Sequence, residues 1–91
     1  MHAQASIDVI NARVHQLEEE EWDYEHDDQY VNGELTTAAV CYALGESFMF
    51  NPYICWPWGT DDWKPKTYRE NLVRAAALLI AEIERIDRLK K

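Results

Sequence analysis

Two groups of residues in this chain have the types and spacing for recognition chemistry. The first is the run Glu25, His26, Asp27 and Asp28, with Glu34 following closely. An imidazole beside carboxylates suits a hard or borderline divalent ion, but sequence neighbours seldom all turn toward one point. Asp residues also favour helix caps, so a solvated acidic loop is the plainer reading. No metal is expected, and His26, Asp27 and Asp28 are read as hydrogen-bonding groups of a ligand site. The second group is Trp56, Trp58 and Trp63 beside Lys64, with Arg69 and Arg74 further on. Flat aromatic faces with nearby cations can stack a base and pair with its phosphate. The competing reading is an aromatic mini-core that supplies the bulk a small domain needs.

Other reactive residues carry less. Cys41 and Cys55 lack CxxC spacing and a secretory context, which points to two ordinary thiols. His15 is expected in a structural or exposed role. No catalytic set or cofactor motif stands out, and no cofactor is expected.

Composition narrows the partners. A chain of 91 residues is read as one domain spanning 1–91, and its formal net charge is −8. The charge is uneven: residues 1–35 hold ten acids against the single base Arg13, while residues 36–91 hold seven acids and eight bases. The acidic front third repels a phosphate backbone, so direct nucleic-acid backbone binding is not expected. The start MHAQASIDVINARV lacks a basic segment followed by an apolar one, and the run around AAVCYAL is too short to span a bilayer. The expected setting is the bacterial cytoplasm, with no membrane partner.

Three helices must position these groups. Ile7, Ile10, Val14 and Leu17 recur at steps of three and four, which predicts a helix from Ala5 to about Glu21 with one apolar stripe. Its acidic end opposes the helix dipole and needs a cationic cover. Residues 22–30 read as an ordered loop pinned by Trp22 and Tyr24. Asn32 or Asp28 is expected to cap a second helix, GELTTAAVCYAL, with the narrow face Leu35, Ala38, Ala39 and Tyr42, ended by Gly45. Residues 46–66 hold all three prolines and three of the four tryptophans, and a short β-hairpin has room there. Thr67 to Glu70 is a capping box that opens a third helix. Its buried stripe is predicted to be Leu72, Val73, Ala76, Leu79, Ile80, Ile83, Ile86 and Leu89, with Ala75, Leu78 and Ala81 off that stripe. The fold class is therefore mainly α, a small three-helix domain with a long Trp/Pro-rich loop. Two apolar faces on one helix exceed what a single small core hides, so a homodimer is expected.

Three resemblances bear on function. Glu18 with Glu21, and Glu84 with Asp87, resemble the paired-acid spacing of helical NTP pyrophosphohydrolases, although the distance between the pairs exceeds that family's usual pattern. The blocks EHDDQYVNGELTTAAVCYAL, WPW, WKP and RENLVRAAALLIAEIERID, in that order, resemble a family of short, uncharacterised proteins of tailed phages and prophages. That likeness covers nearly everything from Trp22 to Arg88 and implies a phage or prophage origin. A fainter likeness is to the ryanodine-receptor repeat, carried by Val14-His15, by Trp22, Tyr24 and Asp28, and by Tyr68-Arg69 leading into Leu72. It implies a ligand pocket between loop and helices, though the Leu-Val-Pro-Tyr segment of that repeat has no counterpart.

Together these point to a non-enzymatic phage accessory protein that sequesters a host factor, foremost a nucleotide-derived immune-signalling molecule. The alternatives are an acidic inhibitor or DNA mimic acting on a host protein, and a magnesium-dependent pyrophosphohydrolase using Glu18, Glu21, Asp27, Asp28, Glu84 and Asp87. In the first reading Trp56, Trp58, Trp63, Lys64 and Arg69 meet ring and phosphate, while Asp27 and Asp28 accept from ribose hydroxyls.

Overall fold

The computed structural model describes residues 3–45 and 55–90. Among the described residues the order is α1 (Gln4–Glu18), α2 (Tyr24–Asp28), α3 (Glu34–Leu44), a 3-10 turn (Thr60–Asp62) and α4 (Tyr68–Leu89). The fold is mainly α. The expected hairpin is not seen at residues 55–66, and the remainder of that segment, 46–54, lies outside the described residues.

Local chemistry explains each boundary. At the end of α1, Glu21 takes a left-handed conformation with φ 59°, and the Trp22 amide donates back to the Gln16 carbonyl at 2.8 Å. That turn directs the chain inward at Trp22, while Arg74 approaches Glu20 at 3.7 Å and supplies the cationic cover that end needs. The segment read as a loop contains α2, because Asp23 caps it by accepting from the His26 amide at 2.9 Å. Neither Asn32 nor Asp28 caps α3. Gly33 does, at φ 80°, and Glu34 Oε1 instead accepts from the Asn32 amide at 2.7 Å. Half of the expected capping box of α4 forms: Thr67 Oγ1 accepts from the Glu70 amide at 3.2 Å, while Glu70 Oε1 accepts from the Thr67 hydroxyl at 2.8 Å rather than from the cap amide.

The core lies where α3 meets α4. Leu35, Ala38, Ala39 and Tyr42 pack on Ala75, Leu78 and Ala81, with Trp22, Tyr30, Trp56, Trp58 and Trp63 closing over them. Small side chains at these contacts let the two backbones approach closely. The narrow face expected of the second helix is the buried one.

The apolar stripes are not. Leu79 and Ile83 of α4 are 43% and 58% exposed, and Ile10 of α1 is 58% exposed, with Ile7, Val14, Leu72, Ile86 and Leu89 also outward. The buried residues of α4 are instead Asn71, Ala75, Ala77, Leu78, Ala81 and Arg85, and those of α1 are Arg13 and Gln16. This corrects the predicted core of the third helix. The physical reason is the partner that α1 brings. Arg13 enters the interior with an acceptor for each of its three side-chain nitrogens, and α4 must turn its small and polar flanks toward α1 and α3 to receive it. Asn71 shows the same logic, since its amide is tied to Lys66, accepting from that backbone N–H at 2.7 Å.

Candidate functional site

Two features meet beside α2. The first is a buried polar network. Arg13 donates from Nη2 to Asp27 Oδ2 at 2.7 Å, from Nε to Glu84 Oε1 at 2.8 Å and from Nη1 to Gln16 Oε1 at 3.1 Å. Asp27 is 0% exposed, and its second oxygen lies 3.0 Å from His26 Nδ1. A buried charge of this kind is tolerable only with its lone pairs filled and a counter-charge in contact. Here both conditions hold. The network then orients His26, whose ring stacks on Trp22 with centroids 5.3 Å apart and meets Tyr30 edge-on at 5.2 Å.

The second feature is the pocket that this ring cluster helps to wall. It has a volume of about 700 Å³ and is lined by Trp22, His26, Tyr30, Tyr42, Trp56 and Trp58, with Lys64, Lys66 and Arg74 as cations and Glu20 and Asp62 as acids. Trp58 sits between the loops, 5.2 Å from Tyr30 and 5.3 Å from Trp56. Trp56 is fixed by donating its indole N–H to the Gly59 carbonyl at 3.0 Å. The Arg74 guanidinium lies over both the Tyr42 ring, at 5.2 Å, and the Trp22 ring, at 5.8 Å. Two buried donors in this wall, Trp58 Nε1 and Arg74 Nε, meet no acceptor among the described residues. An unmet buried N–H costs roughly 1–3 kcal/mol. Burial raises the Tyr30 hydroxyl above its ordinary pKa, and the Asp27 charge adds to that, so it stays a neutral donor.

The residues expected at one ligand site are only partly brought together. His26, Trp56, Trp58 and Lys64 line the pocket. Trp63 lies beneath it, 4.7 Å from Tyr42 and 4.8 Å from Trp56, where a side chain on Gly45 would strike its ring at 3.2 Å. Asp27 is fully buried against Arg13 and His26 and does not line the pocket, so it is out of reach of a ribose. Asp28 turns away and pairs with Arg88 at 2.6 Å, whose guanidinium also covers the Tyr24 ring at 4.4 Å. Arg69 pairs with Asp8 at 2.9 Å and lines a neighbouring cleft. Tyr30, Tyr42 and Lys66 were missed by sequence reasoning. Arg13 was missed too, although a lone base among ten acids was a signal.

Cys41 and Cys55 approach to 3.1 Å between sulfurs, which links the start of the tryptophan segment to α3. Burial, followed by the contact with Cys55, pushes the Cys41 thiol up to about 12. Among the described residues no three of His, Cys, Asp and Glu gather where they could hold a metal ion. Nor is any described helix long and apolar enough to cross a membrane. No protein-family model, curated protein or solved structure matches this chain.

Proposed function

We propose that this chain is a non-catalytic binding protein that takes up a nucleotide-derived small molecule in the aromatic pocket and sequesters it. The observation that carries this reading is the pairing of stacking faces with cations in one cavity: Trp58, Trp22 and Tyr30 beside Lys64, Lys66 and Arg74. Rings of this type suit a base, and the three cations suit its phosphate. The likeness to phage and prophage proteins favours a host immune signal as the molecule withdrawn. The test is calorimetric titration of nucleotide-derived immune signals into wild type and Trp58→Ala, with circular dichroism to confirm that the variant folds. Wild type should bind saturably, and loss of the ring should weaken binding by about 1–3 kcal/mol. Absence of heat with every such molecule contradicts the reading.

The pyrophosphohydrolase reading fares worse, because Asp27 and Glu84 are spent on Arg13, and Asp28 on Arg88. Self-association is the second reading that an observation favours. Leu72, Ala76, Leu79, Ile83 and Ile86 repeat at alternating steps of four and three along α4, the spacing of a helix-pairing seam. A second copy presents the same stripe, so a twofold axis buries both at once. We propose a homodimer through this face.

A further inference from the structure

The aromatic pocket does not end at its cations. Lys64, Lys66, Arg74 and Glu20 also form one wall of a second cleft of about 320 Å³, which continues along α1 and the start of α4. The two compartments differ in chemistry. Rings line the first. The second sets the polar side chains Asp8, His15, Arg69 and Asn71 among apolar surface that includes Ala12 and Val73. Asp8 accepts from Gln4 at 2.9 Å and pairs with Arg69 at 2.9 Å, and these contacts hold its carboxyl below its ordinary pKa.

A molecule that fills both compartments must therefore be planar at one end, anionic in the middle and rich in hydroxyls at the other. Resting on the nucleotide-binding reading above, we infer that the ligand is a nucleoside diphosphate esterified to a second sugar. Its base stacks against Trp58 with the Trp22 ring inclined to it, its diphosphate spans Lys64, Lys66 and Arg74, and its distal sugar meets His15 and the Asp8–Arg69 pair. A mononucleotide leaves the second cleft unused. Such a ligand uses the cations at the junction, and the acids of the second cleft would oppose a terminal phosphate but accept hydroxyls.

Matched pairs test this: ADP with ADP-ribose, GDP with GDP-mannose, and UDP with UDP-glucose, each titrated calorimetrically into wild type and Arg69→Ala. Near neutral pH the ester carries less negative charge than its parent diphosphate, whose terminal phosphate has a second pKa of about 6. Attraction to the cations alone therefore favours the parent. The expected result is the reverse, with at least one ester bound about tenfold tighter than its parent, and with Arg69→Ala shrinking that ratio. Equal or weaker binding of every ester, with the parents still bound, overturns the inference and leaves the aromatic pocket standing. An ester preference that Arg69→Ala leaves intact overturns the assignment of the sugar to the second cleft. If none of the six molecules binds, the inference falls, while the titration of nucleotide-derived immune signals still decides the broader reading.

Discussion

α4 has two packed flanks built on opposite chemistry. Toward α3 the contact is dry, with Ala75, Leu78 and Ala81 on Leu35, Ala38, Ala39 and Tyr42. Toward α1 and α2 it is polar, and Arg13 holds Asp27, Glu84 and Gln16 together. The dry flank is stabilised in proportion to the area it hides. The polar flank depends on completeness, since each charge is tolerable only while its partners remain. A mutation should therefore have graded effects on one side and disproportionate effects on the other.

Arg13→Ala should be the most damaging substitution, because it strands a fully buried carboxylate. Thermal denaturation should show a loss of about 3–5 kcal/mol. Replacing both partners, as Arg13→Met with Asp27→Leu, should recover much of it, and a double variant as unstable as the single would break the comparison. Leu78→Ala opens a cavity on the dry flank and should cost about 2–5 kcal/mol, toward the lower end because small neighbours can close in. Ile83→Ser, by contrast, should leave the single chain nearly as stable while moving the species seen by sedimentation toward the 10.7 kDa monomer. A wild type that sediments only as monomer at micromolar concentration contradicts the dimer. The smallest expected effect is favourable: Glu21→Gly relieves a left-handed residue and should raise stability by about 1 kcal/mol, measured by the same denaturation.

Much of this architecture was legible in the residues. The Thr67 cap and the small face of α3 were readable because they depend on local bonds and on one periodicity. The direction of the apolar stripes was not. Period alone finds a face but does not say what covers it, and here Arg13 claimed the interior while Leu79 and Ile83 remained outward. At the site, the aromatic tract and Lys64 were found by type. Tyr30 and Tyr42 were not, because on helical or turn positions a tyrosine that faces a cavity reads like any half-buried ring. Asp27 misled for a related reason, since a carboxylate in an acidic run carries no mark of the distant arginine that buries it.

The claim that the aromatic pocket receives a planar anion has one direct reporter, the indole N–H of Trp58, which meets no acceptor among the described residues, whereas that of Trp56 is already bonded to Gly59. In a nitrogen-15 correlation spectrum, with indole signals assigned by Trp→Phe variants, titration with nucleoside diphosphates and their sugar esters should shift the Trp58 signal most, in a saturable way. The Trp56 signal should move less. If all four indole signals stay in place at millimolar ligand, the pocket is a closed aromatic support and the account of function is wrong.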